Sequence, residues 1–145
     1  MGTDREGAVK VERAFDSTLE SVDEAEALIL DAAEKAGFDE DEQHHISMAA
    51  RECLVNAVVH GNRYNLKKKV HVTVETSSDT VKVTIADEGE GFDLNDLPDP
   101  LAEENILRHS GRGIFLIKAF MDDFRVRRLE PAGTEVTLVK HLVSK

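Results

Sequence analysis

The feature that most constrains the fold is a pair of short alternating segments joined by a polar turn. Between residues 69 and 86, branched apolar side chains alternate with polar ones on both sides of Ser77, Ser78 and Asp79. The apolar positions are Val70, Val72, Val74, Val81, Val83 and Ile85. Because a period of two places these side chains on one face, the pattern predicts an antiparallel hairpin with one buried face.

Two amphipathic helices are predicted before this hairpin. The first begins at Ser21, which forms a capping box with Glu24, and ends at Gly37. The second begins near Asp39 to Asp41 and ends at Gly61. The core-facing stripes are Val22, Ala25, Leu28, Ile29, Ala32, Ala33 and Ala36 in the first helix, and Ile46, Ala49, Ala50, Cys53, Leu54 and Ala57 in the second. Each stripe predicts a helix that packs one face against the sheet.

The remaining segments add further strands and one more helix. Alternation from Val9 to Phe15 predicts an N-terminal strand, and an irregular Gly- and Pro-containing stretch from Asp87 to about Ser110 precedes a helix from Gly113 to Met121. Two last strands are expected at 124–129 and 134–141, with a turn between them. The order β-α-α-β-β-α-β-β contains hairpins rather than repeated βαβ units. It predicts an α/β (α+β) two-layer sandwich with a largely antiparallel sheet.

Size and composition limit the class of protein. The 145 residues are enough for a single domain over 1–145, in which we expect residues 1–7 to be disordered. No apolar run reaches the roughly 20 residues of a membrane helix. The segment from Met1 to Gly7 has no apolar signal-peptide core. One cysteine, Cys53, excludes an intrachain disulfide and is expected to be a core residue. We therefore expect a cytoplasmic protein that does not contact a membrane.

The charge balance favours protein partners over nucleic acid. The net charge is −11, from 29 acidic and 18 basic residues, and such a surface repels phosphates. The basic run from Lys67 to Lys69 is interpreted as a solvated loop. The acidic run from Asp39 to Glu42 is interpreted as a helix N-terminus that complements the helix dipole. The pair His44 and His45 lacks a matching ligand cluster, so no zinc site is expected.

The first candidate motif lies on the second predicted helix. Glu52, Asn56 and His60 follow one another at four-residue spacing and share one stripe beside the apolar face. Carboxylate and amide oxygens suit Mg²⁺ or an attacking hydroxyl group. The same spacing also occurs at an ordinary helix edge, so the motif alone leaves both interpretations open.

The second candidate motif directly follows a predicted strand. Asp87 ends the alternating run, so its carboxylate is expected at the strand's C-terminal edge, where it can accept a hydrogen bond from an exocyclic amine such as that of adenine. Gly89 and Gly91 let the backbone approach a flat ligand without Cβ clashes. An ordinary Asp-Gly turn is an equal alternative.

The third candidate motif opens the predicted helix that follows the irregular stretch. Gly111 and Gly113 expose backbone N–H groups at a helix N-terminus, where the dipole favours an anion. Arg112, preceded by Arg108 and His109, adds positive charge suited to phosphate. The pattern is neither a Walker nor a Rossmann motif. A glycine-rich helix entry without a ligand is the alternative.

Taken together and in order, the three motifs resemble the nucleotide-binding boxes of the GHKL ATPase superfamily, which includes gyrase and the histidine kinases. The matching segments are Glu52-x-x-x-Asn56-Ala57-x-x-His60-Gly61 for the N box, Asp87-x-Gly89-x-Gly91 and Gly111-Arg112-Gly113-Ile114 for the two glycine boxes, and Gly133-Thr134 for the closing element. The resemblance extends from about Phe15 to Lys140. Segments 56–62 and 113–123 are most similar to the small anti-sigma-factor serine kinases.

The resemblance implies a Bergerat ATP-binding fold, with helices on one face of a mixed sheet and with ATP and Mg²⁺ as cofactors. It implies that Asn56 coordinates Mg²⁺, that Asp87 binds the adenine amino group, and that residues 99–110 form a short lid. The residues implied for nucleotide contact are Asn56, His60, Asp87, Gly89, Gly91, Arg108, Gly111, Arg112, Gly113, Ile114 and Thr134.

The resemblance also implies a reaction and a set of partners. Glu52 would be the general base for a serine or threonine of an anti-anti-sigma (STAS-domain) protein, and Arg112 would offset charge on the transferred phosphoryl group. Family members commonly form homodimers that bind a sigma factor. No dimerisation helix with a phospho-acceptor histidine is found, which disfavours a sensor histidine kinase. The alternatives are a non-kinase, ATP-dependent anti-sigma module and, least favoured, simple ATP hydrolysis.

Overall fold

A five-stranded antiparallel sheet and two helices make up the computed structural model, which describes residues 9–89, 117, 119–130 and 132–142. The elements are β1 (Val9–Asp16), α1 (Leu19–Lys35), α2 (Glu40–Asn56), β2 (Lys69–Thr76), β3 (Thr80–Ala86), β4 (Asp123–Arg128) and β5 (Thr134–His141). The strand order is β1-β2-β3-β5-β4, and each neighbouring pair is antiparallel. This architecture confirms the predicted two-layer sandwich.

The predicted hairpin is confirmed, and its two strands are β2 and β3 in the interior of the sheet. Val72 pairs with Ile85 and Val74 with Val83 across β2 and β3. All six alternating apolar side chains of the two strands are at most 1% exposed. They form one hydrophobic cluster with the apolar stripes of α1 and α2 and with Leu138 of β5. Both helices therefore cover the same face of the sheet. The alternating N-terminal segment is the edge strand β1, where Phe15 is buried and Val9 is exposed.

The start of α1 differs from the prediction. The N-cap residue is Thr18, whose side-chain oxygen accepts a hydrogen bond from the backbone N–H of Ser21 at 3.1 Å. Ser21 is therefore inside the first helical turn and is buried. The predicted capping box at Ser21 was wrong because Thr18, three residues earlier, already satisfies the free N–H group at this end.

The end of α1 at Gly37 is confirmed. Gly37 has a φ of +101°, a region that L-amino acids with side chains rarely adopt. Its N–H donates to the Glu34 carbonyl at 3.1 Å, and the Phe38 N–H donates to the Ala33 carbonyl at 3.2 Å. These two bonds form a Schellman motif, which satisfies the last carbonyls of the helix.

The second helix begins after Asp39, as predicted, and its last turn has an unusual geometry. The Asp39 carboxylate caps the N-terminus by accepting from the Glu42 N–H at 2.8 Å. At the other end α2 continues directly into a π-helical turn over Ala57–Gly61, in which the Asn62 N–H donates to the Ala57 carbonyl at 2.8 Å. Such turns occur frequently at functional sites.

The predicted helix over 113–121 lies mostly outside the described residues. Its described end is helical, since the Met121 N–H donates to the Ile117 carbonyl at 2.9 Å. The Phe120 ring stacks on His45 of α2 with a centroid separation of 4.1 Å. This segment therefore packs against the same helical layer. Within the described ranges, no helix is long and apolar enough to cross a membrane.

Candidate functional site

The structure describes half of the predicted site. The described members are Glu52, Asn56, His60, Asp87, Gly89 and Thr134, and the members outside the described residues are Gly91, Arg108, Gly111, Arg112, Gly113 and Ile114. The described members form two groups. One group surrounds the end of β3, and the other lies along α2.

The group at the end of β3 is organised around the carboxylate of Asp87. This residue directly follows β3 and is 6% exposed. Its backbone N–H donates to the Thr134 carbonyl at 3.0 Å. Its Oδ1 atom accepts from the N–H groups of Gly89 at 3.0 Å and of Thr134 at 3.2 Å. The predicted residues Asp87, Gly89 and Thr134 are therefore in direct contact, and the carboxylate has a fixed orientation.

Burial and hydrogen bonding act in opposite directions on Asp87. Burial raises the pKa of its carboxyl group, while the N–H groups of Gly89 and Thr134 oppose that increase. Both of these donors bind Oδ1, and no described residue donates a hydrogen bond to Oδ2. A buried carboxylate with one oxygen left for a ligand is suited to accept from an amine.

Close backbone contacts bring the π-helical turn that follows α2 against this carboxylate. A Cβ atom at Gly61 would lie 2.3 Å from Asp87 Oδ2, and one at Gly89 would lie 1.8 Å from the Gly61 carbonyl oxygen. Gly133 has a φ of +118°, and a Cβ there would lie 2.3 Å from the Asp87 carbonyl oxygen. Three glycines from distant parts of the chain therefore permit the approach. The sequence motifs contained Gly61 and Gly133 but gave them no role in the site.

A buried asparagine that the sequence analysis did not identify as a site residue supports the same turn. Asn62 is 2% exposed. Its Nδ2 donates to Ser17 Oγ at 2.9 Å and to the Lys69 carbonyl at 3.0 Å, while its Oδ1 accepts from the Glu88 N–H at 2.8 Å. Asn62 thereby connects the β1–α1 link, the start of β2 and the turn after Asp87. Since asparagine is mostly exposed in proteins, the sequence gives no direct signal for this role.

The residue between Asp87 and Gly89 is anchored through its side chain as well. The Glu88 carboxylate hydrogen-bonds to Nε2 of His71 on β2. This contact lowers the pKa of Glu88. The turn is therefore held by Asn62 at its backbone and by β2 at its side chain, which limits its freedom to move away from Asp87.

The second group lies on α2 and on the π-helical turn that follows it. Glu52 and Asn56 are one helical turn apart on α2. The side chains of Glu52 and Asn56 are half-buried, and neither forms a hydrogen bond with another described residue. Burial raises the pKa of Glu52, and the neighbouring charge of Arg51 opposes this. Arg51 is itself held by the carboxylates of Asp23 at 2.8 Å and Glu26 at 2.7 Å. His60 lies in the π-helical turn rather than in regular α-helix.

The two groups adjoin opposite ends of one continuous helical segment. Gly61, which contacts Asp87, follows Asn56 by five residues and Glu52 by nine on a continuous helical segment. At 1.5 Å per residue, Asn56 lies about 8 Å and Glu52 about 13 Å along the axis from that contact. The Asp87 carboxylate therefore lies at one end of this segment, and the side-chain oxygen atoms of Asn56 and Glu52 lie farther along α2. Among the described residues, no group of three or more His, Cys, Asp or Glu side chains could hold a metal ion.

Comparison with known proteins identifies the family of the chain. Residues 15–140 match the family of the histidine kinase-like ATPase domain. The chain is similar to the anti-sigma F factor of Bacillus subtilis (strain 168), with 36% identity over 104 residues that cover 70% of this chain and 71% of the relative. It is similar to the anti-sigma F factor of Bacillus licheniformis, with 33% identity over 138 residues that cover 92% and 94% of the two chains.

A solved structure shares the fold. The crystal structure of the RsbU and RsbW domains of a Mycobacterium tuberculosis protein matches 94% of this chain with a TM-score of 0.68 and 19% identity. This chain spans 33% of that longer chain. The family match over residues 15–140 covers nearly the whole described sandwich, including both groups of the site. The chain therefore belongs to the histidine kinase-like ATPase domain family and is an ATP-binding domain.

Proposed function

We propose that this chain is an anti-sigma-type serine/threonine protein kinase that uses ATP to phosphorylate an anti-anti-sigma (STAS-domain) protein. The observation that carries the proposal is the buried Asp87 carboxylate, which is fixed through Oδ1, receives no hydrogen bond at Oδ2 from a described residue, and contacts the π-helical turn that continues the helix carrying Glu52. The names of the relatives, anti-sigma F factors, support the assignment to a partner switch. Under this proposal the chain is a single cytoplasmic domain that forms a homodimer and binds a sigma factor.

The two groups of the site divide the nucleotide between them. Asp87 Oδ2 accepts from the exocyclic amine of adenine, and Thr134 and Gly89 fix the carboxylate that does so. Asn56 would hold Mg²⁺ through its amide oxygen. A bound Mg²⁺ would supply positive charge that offsets the charge of the phosphates. Gly91, Arg108, Gly111, Arg112, Gly113 and Ile114 are assigned to the base and phosphates by family resemblance alone.

The transfer itself needs a carboxylate at the attacking oxygen. The hydroxyl oxygen of the partner's serine or threonine forms a bond to the γ-phosphorus, and the bond from that phosphorus to the β–γ bridging oxygen breaks to release ADP. Glu52 orients the hydroxyl and accepts its proton. Arg112, with Arg108, offsets the negative charge on the transferred group. Positioning and charge neutralisation account for most of the rate enhancement in such reactions.

The direct test is incubation of the protein with ATP labelled at the γ-phosphate, Mg²⁺ and a purified STAS-domain protein from the same genome. We expect the label on a serine or threonine of the STAS protein. ATP binding without transfer would identify a non-kinase, ATP-dependent anti-sigma module. Release of labelled phosphate to water, with none on protein, would identify simple hydrolysis. Either of these two results would overturn the kinase proposal.

Replacement of Asn56 by alanine should weaken ATP binding only when Mg²⁺ is present. Loss of one metal ligand is expected to lower Mg²⁺-dependent affinity by about 10- to 100-fold, in the range of one charged hydrogen bond. Isothermal titration calorimetry with Mg²⁺ and with a chelator measures the difference. Gln43→Ala, in the first turn of the same helix, is the matched control. Wild-type affinity of the Asn56→Ala protein in Mg²⁺ would remove Asn56 from the metal site.

The variants Asp87→Asn and Asp87→Ala should distinguish the effect of Asp87 on ATP affinity from its effect on the free energy of unfolding. Asp87→Asn keeps an oxygen for the Gly89 and Thr134 N–H groups but places an NH₂ group where the adenine amine needs an acceptor. We expect a loss of ATP affinity of about 10- to 150-fold with unfolding free energy within about 1 kcal/mol of wild type. Asp87→Ala leaves both N–H groups unpaired and should cost about 2–4 kcal/mol.

Calorimetry measures the ATP affinity of the position-87 variants, and urea denaturation measures their free energy of unfolding. The pH dependence of that free energy gives a further check. The folded pKa of Asp87 is raised, so its ionisation weakens the fold as pH rises through the unfolded and then the folded pKa. Asp87→Asn should remove that part of the pH dependence. Unchanged ATP affinity in Asp87→Asn would contradict the adenine assignment.

A further inference from the structure

A short basic loop lies between the π-helical turn and β2, beside the Asp87 end of the site described above. We call residues 63–68 the strained loop. It contains Arg63, Lys67 and Lys68 and no acidic residue, in a chain whose net charge is −11. Its other members are Tyr64, Asn65 and Leu66. The loop is therefore a local reversal of the protein's overall charge.

The backbone of this loop holds two consecutive residues in a conformation that favours glycine. The φ angles are 54° at Arg63 and 61° at Tyr64. For residues with a Cβ atom this left-handed region is sparsely populated, and consecutive instances are rarer still. Strain of this kind persists only where the surrounding structure fixes it, and it is concentrated at functional positions.

Hydrogen bonds fix the strained loop at both ends. The Tyr64 N–H donates to the Val58 carbonyl at 3.0 Å, and the Asn65 N–H donates to the Asn62 carbonyl at 3.0 Å. Further along, the Lys68 carbonyl accepts from Ser17 Oγ at 2.6 Å. The Asn65 side chain accepts from the Lys67 N–H at 2.9 Å inside the loop. The loop is therefore a built structure with a defined shape.

The strained loop presents two apolar side chains to solvent. Tyr64 is 51% exposed, and Leu66 is 61% exposed. Beside them, Arg63, Lys67 and Lys68 form no ion pair with any described carboxylate, whereas Lys69 at the start of β2 pairs with Asp16. Lys68 is near the carboxylates of Asp87 and Glu88, whereas Arg63 and Lys67 have no described carboxylate beside them. Two exposed apolar side chains with these two positive charges form a surface that a solvated loop does not require.

We propose that the strained loop is a docking surface for an acidic segment of a partner protein that carries a leucine or an aromatic side chain. Charge complementarity selects the acidic segment, and Tyr64 and Leu66 provide the apolar contact. A nucleic acid fits less well, since a chain of net charge −11 repels phosphates beyond the immediate loop. Docking here does not depend on the proposed phosphoryl transfer.

The position of the loop separates it from the Glu52 end of the site. Asn62, which precedes the loop, donates to the Lys69 carbonyl and accepts from the Glu88 N–H. The loop therefore adjoins the Asp87 end of the site, while Glu52 lies about 13 Å away along α2. A partner held on the loop leaves the Glu52 end open.

The test is a titration of the full-length, ¹⁵N-labelled protein with a synthetic peptide of aspartate and glutamate residues around one leucine and one phenylalanine. We expect amide shifts centred on residues 63–69 and binding that weakens at high salt. Tyr64→Ser with Leu66→Ser should reduce affinity at least about fivefold, the equivalent of one well-packed interface contact. Arg63→Gln with Lys67→Gln should reduce both affinity and salt dependence. Leu19→Ser with Leu30→Ser, exposed leucines on α1, is the matched control.

Any of the following results would overturn the proposal. These are the absence of shifts in the loop with saturating peptide, equal affinity of the Tyr64→Ser, Leu66→Ser variant and the α1 control, and tighter binding to a single-stranded oligonucleotide than to the peptide. Loss of self-association in the loop variant, measured by sedimentation without peptide, would assign the loop to a second copy of this chain instead. Thermal unfolding of each variant confirms that the fold is retained.

Discussion

Replacement of Glu52 by glutamine is expected to slow phosphorylation of the protein substrate by orders of magnitude while ATP remains bound. Glutamine keeps the size of the side chain and an oxygen that accepts a hydrogen bond, but it cannot take the proton of the attacking hydroxyl. General base catalysis by a positioned carboxylate contributes about 10²- to 10⁴-fold, so transfer should fall by that factor. Initial rates with γ-labelled ATP and the STAS protein measure transfer, and calorimetry measures ATP affinity.

The pH dependence of the same reaction distinguishes a base from a structural residue. Burial raises the pKa of Glu52, so the rate should rise with pH over a range above that of an ordinary glutamate. The Arg51 charge opposes this increase, so Arg51→Met should move the acidic limb to higher pH. Glu34→Gln, on the exposed face of α1, is the control. Wild-type transfer in Glu52→Gln would exclude Glu52 as the base, and transfer lost together with ATP binding would indicate a role in binding.

Local patterns were sufficient to predict most of the fold. The hairpin of β2 and β3 and the core stripes of α1 and α2 are set by periodicities of two and 3.6, which depend only on neighbouring residues. Gly37 was predicted correctly for the same reason. The start of α1 was not, because Thr18 and Ser21 are both good N-cap residues three positions apart. The choice between them depends on where the chain leaves β1, and no local rule gives that.

The residues of the site could be predicted from the sequence more fully than the contacts that hold them together. Order and spacing place Asp87, Gly89 and Thr134 in known motifs, and the structure brings them together. The buried bonds of Asn62 join parts of the chain up to 45 residues apart, and they depend on an approach that no periodicity encodes. The assignments of Gly91, Arg108, Gly111, Arg112, Gly113 and Ile114 stay predictions from the sequence.

The π-helical turn is another feature without a sequence signal. The regular spacing of Glu52, Asn56 and His60 predicts a stripe on an unbroken α-helix. In the structure the α-helix ends at Asn56, and the wider turn carries His60 and brings Gly61 against Asp87. The turn is stabilised by the contacts of Gly61 and by the bonds of Asn62. It is therefore a consequence of packing at the site rather than of helix propensity in this segment.

Replacement of Gly89 by alanine should remove ATP binding and much of the fold's stability. A Cβ at Gly89 would lie 1.8 Å from the Gly61 carbonyl oxygen, and backbone atoms cannot move aside as a flexible side chain can. To relieve this clash, the turn after Asp87 must separate from the π-helical turn. That separation breaks the contacts that orient the carboxylate. We expect a cost of about 3 kcal/mol or more, at the upper end of overpacking effects. Urea denaturation and calorimetry measure the two losses.

Gly37→Ala is the matched control because it isolates conformational strain from steric contact. Gly37 has a φ of +101°, yet the nearest atom to an added Cβ, on Leu142, is 3.9 Å away. This variant should lose about 1–3 kcal/mol of stability and keep wild-type ATP affinity, since the strain lies at the far end of α1. If Gly89→Ala bound ATP as tightly as Gly37→Ala, the approach of the π-helical turn to Asp87 would not be required for the site. A loss of ATP affinity in Gly89→Ala alone would show that nucleotide binding depends on the backbone contact between Gly89 and Gly61. The sequence around these two residues does not reveal that contact.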